Sequence, residues 1–581
     1  MIDQPTTRTN PWPDRLWLVL VASLSSLLSV SGASRLSATF DEPVYLERGL
    51  HFWRTGSHLP LLRSGTMPLP PDVQTLPLYI WERWRGEAFE FPRDIAICLP
   101  VARAGTLVFW WILLIYGFRL ASSLGGPWAG RLAVALMAFE PSMMTHAGLA
   151  TTDIAVASCV VALVYHYRAG REDPAAGWRR RVGWPMIWYA AAILAKASGL
   201  VFGIFCFAVM EWERLYRIGA LKPPPGTGWL RNSWRQFVPY RRDLRWIMFG
   251  GLALTFIYCG CDWQADPSFI KEAKKLPEGP LRDASVWVAE HLKIFGNAGQ
   301  GIGYQIQHNF RGHGSYLLGV ESPRYLRYYF FVVTSIKLTV PLLLAPIMVT
   351  LVRPRLLLNG VLISVAVLMV YSVTFRVQIG IRMIFPIVAL FITGIAPALV
   401  SAARSADRIR GLATAGYAVI AVAWAVAATL AVWPHGISYV NALWGGTTDG
   451  YKLVSEANYD WGQGLLELRG WAQTHQVESL PVWYFGTDPR VRERPLELLK
   501  SPESDGEIPA LVKGRFLAVS TTLIYGPPSS FPSLDRLKSF IRERQPVDRT
   551  TTFLIYDFTH GVEPNTSSNS SPSTKPAVPG S

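Results

Sequence analysis

Long apolar stretches separated by short basic ones dominate the chain. Runs of about 20 apolar residues, read as membrane-spanning helices, fall at residues 15–33, 99–118, 128–147, 150–167, 246–262, 328–352, 356–375, 380–402 and 411–432. A longer run, residues 184–210, exceeds one untilted span and predicts two short helices meeting near Lys196 and Ser198, for about eleven crossings in all. After residue 433 the pattern changes. A helical period over residues 465–471 and strand-like runs at 481–485 and 516–520 predict a small extracytoplasmic α/β domain over residues 434–560. The Ser-, Pro- and Asn-rich residues 561–581 predict a disordered tail. The expected fold class is therefore a mainly α-helical polytopic membrane protein, with residues 1–433 as the transmembrane domain and outer loops at 35–99 and 262–327.

Composition supports residence in a bilayer. Half of the 581 residues are apolar and 17% are charged, below the rough quarter usual in soluble proteins. A net charge of +15 would suit nucleic acid, but the basic residues cluster between apolar runs. Arg168, Arg171, Arg179, Arg180 and Arg181 form one cluster, and Arg214, Arg217, Lys222, Arg231, Arg235, Arg241, Arg242 and Arg245 another. In such places they report orientation, so no nucleic-acid partner is expected. The positive-inside rule puts both clusters in the cytoplasm with the N-terminus, together with Arg353, Arg355, Arg404, Arg408 and Arg410. Residues 35–99, 140–152, 262–327 and those beyond 433 then lie outside. The expected location is the plasma (cell inner) membrane, multi-pass, with any site facing out. Small residues at Ser31, Gly32 and Ala33 also suit a cleaved signal peptide, and in either case Asp41 lies outside. The five cysteines lie in or beside apolar segments without CxxC spacing and read as small hydrophobes. Asn565 and Asn569 open glycosylation sequons.

Charges inside or beside a membrane are costly, so each asks for a partner. Asp41 and Glu42 leave the first span within Thr39-Phe40-Asp41-Glu42-Pro43-Val44-Tyr45. Thr39 and Glu42 also fit a capping box, a structural alternative. Arg103, His146, Asp153 and Lys196 fall on the same face, and Arg376 and Arg382 sit in an outer turn against the positive-inside trend. Guanidinium forks match phosphate oxygens, and snorkelling toward headgroups is the plainer account of both arginines. One rim thus combines acids that can accept a hydroxyl proton with cations that can stabilise a phosphate leaving group, the chemistry of sugar transfer from a lipid phosphate. No Walker or GxGxxG pattern stands in a strand-to-helix context. His308 and His313, with Asp153, are candidate ligands for a divalent metal, a weak signal at a spacing of five; no other cofactor is called for. A transporter or flippase for a lipid-linked or anionic substrate is the alternative, but charges gathered at one rim and no visible internal repeat favour surface chemistry. A noncatalytic scaffold leaves the rim charges without a reason.

Asp41-Glu42-Pro43-Val44-Tyr45 after a first span resembles the Asp-Glu motif of protein O-mannosyltransferases and aminoarabinose transferases, in glycosyltransferase family 39 and its relatives. Ala147-Gly148-Leu149-Ala150-Thr151-Thr152-Asp153 is similar to the segment that brings a second acid to the outer rim in that family. Gly312-His313-Gly314-Ser315-Tyr316, followed by Tyr328-Tyr329-Phe330 and Lys337, resembles a block of bacterial members, and Asn458-Tyr459-Asp460-Trp461-Gly462-Gln463 resembles their C-terminal domain. The blocks keep a common order from about residue 15 to about residue 525. The resemblance implies a GT-C fold, inversion at the anomeric carbon, a polyprenyl-phosphate sugar as donor, and a protein, lipid or glycan hydroxyl as acceptor. It implies Asp41 as catalytic base or acceptor-orienting carboxylate with Glu42 in support. Arg103 and Lys196 are placed near the donor phosphate with Arg376 and Arg382, and Tyr45, Asp153, His313 and Tyr316 at the donor and acceptor site. Met383 stands where relatives often carry His after the outer Arg, and Gly464 where Asp often follows the DWGQ pattern. Residues 458–463 keep no assigned function on this reading.

Overall fold

The computed structural model describes residues 12–561 except 174, 223–227, 266, 292, 294, 295, 500–506 and 529–531. Residues 562–581, with the expected tail and both sequons, lie outside the described residues. Every apolar run becomes helix, but not every helix is a span. Among the described residues, Trp12–Ala33, Ile95–Gly125, Ile381–Ala403 and Arg408–Val432 are long and apolar enough to cross a membrane. Tyr329–Lys337 and Val340–Val352, bent by 103°, add a fifth if read as one broken span. The expectation of about eleven crossings is corrected on this measure of length and composition.

The shortfall has local causes. The run 128–147 is parted at Glu140, whose carboxylate caps the short helix Pro141–His146 by accepting from the Met143 N–H at 2.8 Å. The run 184–210 divides into Trp184–Ala195 and Gly199–Arg217, with Lys196 in extended backbone at the break. The run 356–375 gives the short helix Gly360–Tyr371. Asp153–Glu172 and Trp229–Cys259 are long enough, but carry charges at one or both ends. At the 103° bend the buried Lys337 ammonium donates to the carbonyl oxygens of Ile437, Tyr439 and Asn458 at 2.7, 2.6 and 2.8 Å. An ammonium in an apolar core needs such acceptors, so this lysine ties the bent span to the segment that follows the last helix.

Helix Ile381–Ala403 is the central post, with 83% of its apolar window buried, against 39% for Trp12–Ala33 and 17% for Arg408–Val432. The two outer helices turn Leu27, Ile409 and Val419 outward, an apolar surface that lipid satisfies and water does not. The molecule is a mainly helical membrane protein. The loop after Trp229–Cys259 is itself helical, with Pro267–Lys274, Pro280–His291 and Gly296–Arg311 leading to a hairpin of Ser315–Leu317 and Val320–Ser322.

Beyond residue 433 the chain runs in short 3-10 turns over the helix ends and then forms helix Leu465–Thr474 and a five-stranded mixed sheet. Strand order is Leu496–Leu498, Leu480–Trp483, Phe516–Ser520, Phe553–Asp557 and Asp548–Arg549; the first three are parallel and the rest antiparallel. Leu468 of the helix packs with Val482, Ala518 and Ile555 in one small core. All five cysteines are free, and four of them are buried.

Candidate active site

Helix ends bring the charges together. Asp153 is the first residue of its helix, where a negative charge complements the backbone dipole. Lys196 caps the C-terminus of Trp184–Ala195, the end that favours a cation. Arg382 lies in the 3-10 turn Ile381–Ile384 that opens the central helix. Gly380, just before it, has φ 123°, a conformation that side chains rarely adopt, and an added Cβ would meet Ala457 backbone at 3.1 Å.

The expected capping box forms only half of its pattern. Glu42 does accept from Thr39, N–H at 2.8 Å and Oγ1 at 3.0 Å, but the helix begins at Glu42, with Asp41 at the N-cap. Asp41 makes no capping bond, so its carboxylate is turned elsewhere. Oδ2 of Asp41 accepts from Arg382 Nη1 at 3.0 Å and from the Tyr45 hydroxyl at 3.3 Å. The same Nη1 donates to Asp153 Oδ2 at 3.2 Å, and Lys196 Nζ donates to Asp153 Oδ1 at 2.7 Å. Two acids and two bases thus form one charge-balanced quartet. Arg382 Nε is buried with no hydrogen-bond partner among the described residues. Its guanidinium lies 4.0 Å above the Trp461 ring, a cation–π contact that fixes its plane.

The quartet opens into a cavity of about 250 Å³ lined by Asp41, Tyr45, Lys196, Arg382, Met383 and Trp461. His308, His313 and Glu456 line it as well, as do Phe40 and Phe485, whose rings stack at 5.3 Å. Met383 places its sulfur 3.4 Å from Lys196 Nζ. Glu456 and Trp461 carry no apolar period and belong to no predicted element, and sequence reasoning missed the first entirely. A non-glycine residue at φ 51°, as Glu456 is, shows only in coordinates.

The segment 458–463 builds the floor. Asn458 Oδ1 accepts from the Ile381 N–H at 2.8 Å and holds the arginine turn. The Trp461 carbonyl accepts from the Phe40 N–H at 3.0 Å and holds the Asp41 loop. Gln463 braces the turn itself, accepting from the Trp461 N–H at 2.7 Å and donating to the Tyr459 carbonyl at 2.8 Å. Burial raises the Asp460 carboxyl to about 7 although Thr522, Gly462 and Thr521 donate to it.

Several expected site residues are not brought into the cavity. Arg103 spends all three nitrogens on Glu42 and on the carbonyls of Ala33, Leu36 and Ser37, at 2.6–3.0 Å. In this arrangement the expected phosphate contact finds no free donor on Arg103. Glu42 is fully buried in that pairing and also accepts from the Ala150 N–H at 2.8 Å. Burial alone would raise its pKa, but the Arg103 charge and hydrogen bonds hold it below the usual carboxylate value. Arg376 turns away, donating to the Phe310 carbonyl at 3.1 Å and stacking over Tyr325. Tyr316 donates to the Lys452 carbonyl at 2.8 Å and braces the hairpin. His308 and His313 meet, Nε2 to Nδ1 at 3.2 Å, but Asp153 is engaged with Lys196 and Arg382. Among the described residues no set of three or more His, Cys, Asp or Glu side chains is arranged to hold a metal ion. Burial, then the neighbouring His313 and Arg311, push His308 down to about 4, and burial followed by Arg382 lowers His313.

No sequence-family profile matches the chain, and no curated protein does. Among solved structures it is similar to ArnT from Cupriavidus metallidurans bound to undecaprenyl phosphate, at 14% identity and a TM-score of 0.44, over 93% of this chain and 97% of that one. It is similar to the Archaeoglobus fulgidus oligosaccharyltransferase in the apo form at 12% identity and a TM-score of 0.41, over 72% of this chain and 57% of that one. A third likeness is to the arabinofuranosyltransferase AftD from Mycobacteria, at 15% identity and a TM-score of 0.40, over 89% of this chain and 36% of that one. These are GT-C glycosyltransferases. At scores this low the likeness assigns no activity, which has to come from the chemistry of the site.

Proposed function

We propose that the protein is an inverting glycosyltransferase that moves a sugar from a polyprenyl-phosphate donor onto a hydroxyl acceptor at the extracytoplasmic face of its membrane. The observation that carries this reading is Arg382, a buried guanidinium with Nε unpartnered, held beside Lys196 and Asp41 on the wall of one cavity. A buried donor without an acceptor costs free energy unless a ligand supplies one, and a phosphate oxygen fits a guanidinium edge. Lys196 adds a mobile point charge on the same side.

In the transfer, the acceptor oxygen attacks the anomeric carbon from the face opposite the phosphate, and the carbon–oxygen bond to phosphate breaks with its electrons left on the phosphate. Arg382 and Lys196 meet that growing negative charge in a site partly closed to water, where such contacts are strongest. Asp41 orients the incoming hydroxyl, and Tyr45 and Arg382 fix the carboxylate. Glu42 and Arg103 act at one remove, by locking the Asp41 loop to residue 150. The quartet is charge-balanced before the donor arrives, and the phosphate takes the unpartnered edge of Arg382 while Nη1 goes on holding Asp41.

The experiment is Asp41→Asn in full-length protein reconstituted in lipid. Transfer of label from polyprenyl-phosphate sugars should fall by about 100-fold or more, with membrane insertion unchanged. Transfer at the wild-type rate would remove Asp41 from the mechanism.

A further inference from the structure

We propose that Glu456 is the general base of the transfer, taking the acceptor hydroxyl proton across the cavity from Asp41. The inference rests on the glycosyl-transfer reading and assigns it a residue that neither charge placement nor family resemblance had singled out.

The geometry is that of a carboxyl kept for a ligand. Glu456 lines the cavity and is 8% exposed. No described residue donates a hydrogen bond to its carboxyl; the nearest cationic candidate is His313 Nε2 at 3.8 Å, beyond hydrogen-bond range. Glu42, the other buried glutamate nearby, accepts from Arg103, Thr39 and Ala150. The carboxyl borders the cavity, so a hydroxyl that enters the cavity can donate to it. The backbone reinforces the point, because φ is 51° in a residue that is not glycine. Such strain persists only where surroundings impose it. Here Glu456 N–H donates to Thr522 Oγ1 at 3.0 Å, and Asn458, two residues on, is pinned by Tyr329, Ile381 and Lys337.

The titratable and charged groups facing this carboxyl are His308 and His313, Arg382, Asp41, Lys196, Tyr45 and Tyr304 around the cavity, and Tyr329 behind it. Burial raises the Glu456 carboxyl to about 7, with Arg382 opposing and Asp41 reinforcing. A base that titrates near the working pH combines a useful carboxylate population with useful basicity. Asp41 lacks that freedom, since Arg382 and Tyr45 already hold its Oδ2.

The step balances. The acceptor oxygen bonds to the anomeric carbon, the bond from that carbon to the phosphate oxygen breaks, and the hydroxyl proton passes to the Glu456 carboxylate. Products are the glycoside and polyprenyl phosphate; the proton then leaves to solvent past the partly exposed His313.

The test uses full-length protein in lipid nanodiscs, a panel of synthetic polyprenyl-phosphate hexoses and pentoses, and membranes from cells lacking the protein as the acceptor source. Release of polyprenyl phosphate is read by mass spectrometry from about pH 5.5 to about pH 8.5. The wild-type rate should rise with pH through about 7 as the Glu456 carboxylate forms. Glu456→Gln should lower kcat by about 100-fold or more and abolish that limb, while undecaprenyl phosphate binds as it does to wild type. Glu456→Asp, which keeps a shorter carboxylate, should retain a pH limb at reduced rate. A Glu456→Gln rate within about threefold of wild type, or a pH limb that survives in it, overturns the assignment and leaves glycosyl transfer standing. No turnover by wild type with any donor overturns the transfer reading and this one with it.

Discussion

Arg103 and Arg382 are both buried and both paired to carboxylates, and they differ in what each has left to give. Arg103 makes five hydrogen bonds from three nitrogens, two to Glu42 and three to backbone carbonyls. Arg382 makes both of its ion pairs from Nη1 and leaves Nε without a partner. The first arrangement closes a loop against a helix. The second holds a cation at the wall of a cavity. A buried ion pair is thus no mark of function by itself; what sets Arg382 apart is its place on the cavity wall.

Breaking each arginine in turn separates the two roles. Arg103→Ala leaves Glu42 buried and unpaired, and should destabilise the protein by about 3–5 kcal/mol, seen as lost folded yield and earlier thermal unfolding in detergent. Arg382→Gln should leave folding largely intact and weaken binding of a polyprenyl-phosphate probe by about 10- to 100-fold, the loss of one charge-assisted contact of about 1.5–3 kcal/mol. Titration with the lipid phosphate measures it. Equal loss of donor and acceptor binding would argue against a phosphate clamp.

The same pair shows what sequence carries. Both arginines are legible as costly charges beside apolar runs, and so are Asp41, Asp153 and Lys196, because such a charge is visible without a fold. The break at Lys196 is legible too, since residues 184–210 exceed one span. Partners are not legible. Nothing in the order of residues says that Arg103 meets Glu42 and Arg382 meets Asp41, each across a long stretch of chain. Arg376 shows the same limit, for its turn is read correctly while its guanidinium goes to the Phe310 carbonyl. Glu456 escaped for a different reason: it stands in a stretch of 3-10 turns with no hydrophobic period, and its value lies in a backbone angle and an unpaired carboxyl. The count of spans erred because apolar length predicts helix, whereas Glu140, Lys196 and the bend after Lys337 decide where a helix stops.

The smallest expected effect sharpens the comparison at Lys196, which lies between the two arginines in spare capacity. Its Nζ has one strong acceptor, Asp153 Oδ1, and one weak one, the Met383 sulfur. Met383→Leu keeps the apolar volume and removes the sulfur. If Asp153 alone orients the ammonium, affinity for a polyprenyl-phosphate probe should change by less than about threefold, under about 0.7 kcal/mol. A larger loss would mean that the thioether steers the third donor of Lys196 toward the cavity.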